Sequence, residues 1–360
     1  MNRNTQQLHD LGQSLWLDNI SREILANGML ARYIAEFSVT GLTSNPTIFE
    51  KAIGGGSFYD QGIRALQQQG RSGEDLFFAL ALQDLQQAAD LFRPVHDATG
   101  GADGWVSLEV SPLLADDTAS TVQAAAKLHA AGARPNLFIK IPGTPAGIPA
   151  IEESIFAGVP INVTLLFSRE DYLAAAQAYL RGIERRIAAG LDPQVRSVAS
   201  LFVSRWDVAV KDRVAPPLHN RLGIAIGLRT YQAYRELLAS ARWQKLAKAG
   251  AHPQRLLWAS TGTKDPAAAD TLYLDALAAP DTINTIPEAT LKAFADHGKV
   301  GRAMPVDGGS AEAVLEEFRR AGVDDNALAR QLQREGADAF SKSWKALLSK
   351  IAEKSALLAA

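Results

Sequence analysis

Residues 136–144 read NLFIKIPGT. Leu137, Phe138, Ile139 and Ile141 form the short apolar run expected of a buried strand. Lys140 interrupts that run with a charge, and no carboxylate lies within three residues on either side. A lone ammonium there is expensive unless it is paired or deprotonated. Side chains alternate along a strand, so Asn136, Phe138 and Lys140 share one face while Leu137, Ile139 and Ile141 share the other. The aliphatic face suits a covering layer of helices, which turns Lys140 toward the interior of the sheet.

Seven further stretches read as strands: SLWLDN (14–19), VTGLTSN (39–45), WVSLEVS (105–111), INVTLLF (161–167), SVASLFVS (197–204), RLLWAST (255–261) and TINTIP (282–287). Helical patterns fill the gaps. REDYLAAAQAYLRGIERRIAA (169–189) is the clearest, with Ser168 placed to cap it and Asp171 to complete a capping box. Strand–helix alternation implies a parallel sheet. About eight such units fit a (β/α)₈ (TIM) barrel of the α/β class, which takes about 250 residues and tolerates more. The 360 residues are read as one such domain, 1–360, with helical additions at about 1–13 and 325–357 and further surplus around 88–103. A doubly wound open sheet is the rival, but no glycine-rich dinucleotide loop follows the first strand.

Composition narrows the function. Hydrophobic residues make up 47% of the chain, enough for a large core. The formal net charge is −2, with no basic stripe for nucleic acid and no polybasic flank for a membrane. There are no cysteines, so disulfides, thiolate catalysis and cysteine-ligated metals are excluded. The N-terminal MNRNTQQLHDLGQ lacks the apolar stretch of a secretory signal, and a cytoplasmic location is the default expectation. The sequence indicates neither a metal nor a cofactor and leaves the oligomeric state open.

The same parity sorts the polar residues of the other strands. Trp16 and Asp18, Ser107 and Glu109, and Asn162 and Thr164 point inward. The aliphatic partners Ile161, Val163 and Leu165 point outward. Thr43 shares a face with Asn45, although Asn45 before Pro46 also reads as a helix N-cap. A lysine, two carboxylates, two asparagines and a threonine therefore gather near the C-terminal ends of strands, where barrel enzymes place their chemistry. Only about 0.04% of ordinary lysine amines are unprotonated at pH 7. Burial beside Phe138 raises that fraction and makes Lys140 a candidate Schiff-base nucleophile. One carboxylate would then move a hydroxyl proton and the other the water of the imine steps. Ser200 and Arg205 in SLFVSRWD, with Ser260 and Lys264 in WASTGTKDP, suggest an anion site; pairing of Arg205 with Asp207 is the plainer alternative. On SLFVS, Phe202 shares the face of Ser200.

In this order, WLDNISR, GLTSNPTIFEKAI, VSLEVSP, NLFIKIPGT, INVTLLFS, SLFVSRWD, WASTGTKDP and DTINTIPEATL resemble the transaldolases, specifically their longer bacterial type. The resemblance implies a class I aldolase barrel. Such an enzyme moves a dihydroxyacetone unit from sedoheptulose 7-phosphate to glyceraldehyde 3-phosphate, in the non-oxidative pentose phosphate pathway. It implies Lys140 as the Schiff-base lysine, Asp18 for proton transfer, and Glu109 with Thr164 holding the catalytic water. Asn45 and Asn162 would bind substrate, and Ser200, Arg205 and Ser260 its phosphate. Where shorter transaldolases carry an arginine two residues after the serine, this chain has Gly262, and Lys264 is the candidate substitute. A fructose 6-phosphate aldolase-like enzyme would have glutamine at Glu109 and tyrosine at Phe202. A phosphosugar isomerase or epimerase on the same barrel would need no imine.

Overall fold

Eight strands pair in sequence order into a closed barrel, β1 (Gln13–Leu17), β2 (Val39–Thr43), β3 (Trp105–Glu109), β4 (Leu137–Pro142), β5 (Ile161–Leu166), β6 (Ser197–Phe202), β7 (Gln254–Ala259) and β8 (Thr282–Ile286), in a computed structural model that describes residues 1–359. Every pairing is parallel, and β8 closes on β1 with Gln13 opposite Thr282. This is the (β/α)₈ barrel expected from the alternation. The outward aliphatic residues are buried beneath the helices, as Leu137, Ile139 and Ile141 illustrate.

The inward residues stack in layers. Toward the N-terminal end, Trp105 lies on Phe138 with ring centroids 4.0 Å apart, and Trp16 lies 6.2 Å from Phe138. A buried indole usually finds a partner for its N–H. Trp16 Nε1 donates to the buried Asp103 at 2.7 Å. Above these rings Asn162 links β3, β5 and β6: its Nδ2 donates to Ser107 Oγ at 3.2 Å, and its Oδ1 accepts from Ser200 Oγ at 2.7 Å. The polar residues of the C-terminal mouth rest on this layer.

The register shifts between β1 and β2 at Leu15/Trp16, and alternation fails in β5. Pairing with β6 passes from Val163 opposite Ala199 to Leu166 opposite Leu201, a bulge in which Leu165 takes φ 59°. Leu165 therefore leaves the aliphatic face assigned to it and packs beneath the C-terminal helix, against Gly336. Ser168 caps the following helix, Arg169–Ala188, with the expected capping box to Asp171.

Of the surplus segments, only the one expected around 88–103 differs. The N-terminal addition is a helix, Arg3–Asp10. The insertion between β2 and β3 begins well before residue 88 and comprises helices Pro46–Gly54, Asp60–Gln68 and Gly73–Ala98. The C-terminal helix, Asp325–Ala359, packs across that insertion. Trp344 donates to Glu74 at 2.8 Å and meets Phe77 edge-on at 4.9 Å, and Thr47 donates to Ser343 at 2.8 Å. Gln333 donates to the carbonyls of Gly143 and Leu165, both at 3.1 Å, which fixes the helix to the mouth of the barrel. Among the described residues, no helix is long and apolar enough to cross a membrane.

Gly41 on β2 admits the Trp16 indole. A Cβ there would lie 2.6 Å from Trp16 Nε1 and 2.8 Å from the Trp105 carbonyl oxygen. Overpacking of this kind costs about 1–3 kcal/mol. Gly41→Ala is expected to lose that much unfolding free energy in urea titrations; an unchanged midpoint and slope would show that the indole can tilt aside.

Candidate active site

A cavity of about 350 Å³ opens at the C-terminal mouth of the barrel. Lys140 reaches its floor from β4. Its Nζ donates to the Ser44 carbonyl at 2.9 Å and lies 3.3 Å from Glu109 Oε2, and both residues are only 5% exposed. The lysine that has no carboxylate near it along the chain is thus paired in the fold. Glu109 is distant along the chain, but strand register sets it directly opposite Lys140. Pairing is what an ammonium in such a place requires.

Two carboxylates flank the amine. Burial pushes the Glu109 carboxyl above its usual range; Lys140 opposes that rise and the charge of Asp18 adds to it. Burial likewise raises the Asp18 carboxyl, against the pull of Lys140, Thr43 and Lys264. Asp18 follows β1, and its Oδ1 accepts from Thr43 Oγ1 at 2.9 Å. Thr43 Oγ1 is also 2.6 Å from Thr285 Oγ1. Thr43 has one hydroxyl proton, and it is committed to Asp18. Thr285 must therefore donate to Thr43, which gives a directed chain from Thr285 through Thr43 to the carboxylate.

Thr164 closes the opposite side of the cavity from β5. Its Oγ1 and Glu109 Oε2 are buried oxygens without a hydrogen-bond partner among the described residues. Asn45 does two things at once. Its Oδ1 caps helix Pro46–Gly54 by accepting from Ile48 N at 3.0 Å, and the residue also lines the cavity. Asn162 is fully buried and is not on the cavity wall, which Ser200 reaches in its place.

The far end of the cavity is cationic. Arg205 and Lys264 line it with Ser260, Phe202 and Gly262. Arg205 does not pair with Asp207. That carboxylate, pushed up to about 6 by burial, accepts instead from Tyr273 Oη and the backbone N–H groups of Leu222 and Gly223. Among the described residues, neither Arg205 nor Lys264 has a carboxylate within 4.0 Å. The Arg205 guanidinium lies instead over the Phe202 ring, 5.4 Å from its centroid. Lys264 Nζ folds back over Gly262, 3.6 Å from where a Cβ would be. Ser260 takes φ 55°, and its Oγ is 3.0 Å from Ser204 Oγ.

All the candidate residues thus converge on one cavity except Glu109 and Asn162, which lie just behind its wall. Sequence reasoning missed Thr285 and Phe340. Alternation along TINTIP does not isolate Thr285, because both faces of β8 carry polar residues: Thr285 beside Trp16 on the inner face and Asn284 beside Leu15 on the outer. Nothing local ties Phe340, on the C-terminal helix, to this cavity. Among the described residues, no three His, Cys, Asp or Glu side chains are gathered as a metal ion would require.

A family model described as Transaldolase/Fructose-6-phosphate aldolase matches residues 15–351. The protein named Transaldolase from Thermobifida fusca (strain YX) is 47% identical over 358 residues, spanning 97% of this chain and 97% of its own length. A Transaldolase from Saccharopolyspora erythraea is 46% identical, spanning 98% of each chain. Transaldolase 1 of Streptomyces avermitilis is 45% identical, spanning 97% of this chain and 95% of its own. With a match of that extent over the whole barrel, the chain belongs to the transaldolase/fructose-6-phosphate aldolase family.

Proposed function

We propose that this chain catalyses the transaldolase reaction, passing a dihydroxyacetone unit from sedoheptulose 7-phosphate to glyceraldehyde 3-phosphate through an imine on Lys140. The products are erythrose 4-phosphate and fructose 6-phosphate, as the non-oxidative pentose phosphate pathway requires. The observation that carries this reading is the lysine amine at the cavity floor, 3.3 Å from one buried carboxylate, with a second carboxylate lining the same cavity. An isomerase or epimerase has no use for such an amine.

In this reading Glu109, made more basic by burial, takes the proton that frees Lys140 to attack the ketose carbonyl. The carbinolamine loses water, and Glu109 with Thr164 holds the water lost and regained. Asp18 then takes the proton of the substrate hydroxyl as the carbon–carbon bond breaks, and the bond's electrons move into the protonated imine. The aldose leaves and an acceptor aldehyde takes its place. Asp18 returns the proton to the new hydroxyl, and water releases the product from Lys140. Asn45 orients a hydroxyl at the wall, and Ser200, whose own proton is held by Asn162 behind it, can accept from another; Arg205, Ser260 and Lys264 hold the phosphate. No cofactor enters this sequence of steps. The phosphorylated sugars are the partners the reading implies, at a cytoplasmic location.

Borohydride added with fructose 6-phosphate should fix a dihydroxyacetone-derived mass on the peptide containing Lys140. Mass spectrometry showing a different labelled lysine, or none, would remove the imine mechanism.

Thr43 offers a test of Asp18 through pH. Its hydrogen bond favours the ionised carboxylate, and so lowers a pKa that burial has raised. Thr43→Val deletes that donor. The acid limb of kcat should move to higher pH by roughly one pH unit, the effect of one hydrogen bond to a charged group. A limb that stays fixed or moves to lower pH would reject Asp18 as the group that must be ionised.

Phe202 bears on transfer against release. Its ring lines the cavity and has neither donor nor acceptor to hold a water for hydrolysis. Phe202→Tyr is expected to raise the release of free dihydroxyacetone from fructose 6-phosphate at the expense of transfer. Efficient release by the unmodified protein would favour the aldolase branch of the family instead.

A further inference from the structure

We propose that Phe340 and Gly336, on the C-terminal helix, are positioning residues that hold the Arg205 guanidinium ready for a substrate phosphate and so set the preference for phosphorylated sugars. This rests on the reading of Arg205 as the phosphate-binding cation.

Arg205 is partly buried, and burial is the main influence on it, acting against its charge. Such a cation is normally paired. Among the described residues it has no carboxylate within 4.0 Å and no hydrogen bond. Two aromatic rings take the close positions, and Glu335 acts on it only from farther away. Its Cζ lies 5.4 Å from the Phe202 centroid and 6.0 Å from that of Phe340. The two rings are 6.4 Å apart and inclined at 62°. Aromatic faces attract a guanidinium and restrict its motion without neutralising it. A carboxylate in the same position would hold the arginine equally well but would compete with the phosphate.

Phe202 can be assigned to this end of the cavity from β6, whereas Phe340 comes from an element outside the barrel. Its approach depends on Gly336, one helical turn earlier on the same face. A Cβ at Gly336 would lie 3.3 Å from Arg205 Nη1 and 2.9 Å from Leu165 Cδ2. Gln333, on that face too, ties the helix to the carbonyls of Gly143 and Leu165. The three residues fix the height and rotation of the helix against the β4 and β5 ends, and thereby the second ring over the guanidinium.

The experiment compares Phe340→Leu, Phe340→Tyr, Gly336→Ala and Arg205→Ala in the full chain. Each is assayed with fructose 6-phosphate and glyceraldehyde 3-phosphate, and separately with fructose and glyceraldehyde. Phe340→Leu keeps an apolar cover but removes the π face. It should weaken kcat/KM for the phosphorylated pair about 3–10-fold more than for the unphosphorylated pair, mainly through KM. Phe340→Tyr should restore the preference. Gly336→Ala should show the same KM-centred loss, and it decides the matter if Phe340→Leu does not fold. Equal losses for both substrate pairs, or failure of Tyr to restore the preference, would overturn the role of the helix. If Arg205→Ala alone discriminates between the pairs, only the helix inference falls. If Arg205→Ala does not discriminate, the phosphate reading falls with it.

Discussion

Lys140 and Glu109 face each other across β4 and β3, 3.3 Å apart, in the interior of a closed barrel. Each charge alone would be untenable there. Removing one partner of a buried pair costs about 3–5 kcal/mol, whereas replacing both by apolar residues is often neutral or stabilising. The pair is therefore poor evidence for a contribution to folding and good evidence for chemistry. The rest of the mouth is arranged around it. Ser44 contributes its carbonyl to Lys140 and its hydroxyl to the Ser107 carbonyl, binding the end of β2 to β3. The layer of Ser107, Asn162 and Ser200 supports the floor from beneath.

The two carboxylates nearest the amine are both pushed toward their neutral forms by burial, but they are held differently. Asp18 receives a hydroxyl donor from Thr43, which Thr285 keeps pointed toward it. Glu109 Oε2 has Lys140 beside it and no aligned donor. One group is restrained toward ionisation by a fixed donor, while in the other the rise due to burial is opposed chiefly by the neighbouring lysine charge. In the proposed reaction that difference would divide the proton work between them, since environments that diverge are what separate acid and base roles in a shared site.

Much of this was legible in the sequence because the period of two is robust in a barrel strand. Parity alone placed Lys140, Glu109 and Thr164 on the inside, and the capping box of Ser168 and Asp171 was visible in four consecutive residues. Other features were hidden for identifiable reasons. The Lys140–Glu109 pair depends on register between strands, which a single strand does not reveal. The left-handed Leu165 has no sequence signal, because the bulge answers to the C-terminal helix lying above it. Asn45 reads equally well as a cap and as a ligand; in the fold it caps its helix and also lines the cavity. The tail 325–357 carries a helical pattern, but nothing local indicates that its Phe340 would come to line the cavity.

The two ends of the cavity treat charge in opposite ways, and the choice of side chain follows from that. At the floor, an amine stands 3.3 Å from a buried carboxylate, and in the proposed reaction a proton passes between them. At the far end, Arg205 carries a charge it does not lose at any working pH. A carboxylate beside Arg205 would leave the substrate anion to displace it. Aromatic faces and a partly buried setting leave the charge available instead. Ser260 adds a backbone held at φ 55°, a conformation that costs a serine about 1–2 kcal/mol and persists only where its surroundings enforce it. Its amide and carbonyl groups are thereby turned at the end of β7, with the carbonyl accepting from Ser204 N at 3.0 Å. Strain and a cation without a close carboxylate thus occur together at the end of the cavity where, in the proposed reaction, a permanent anion would be received.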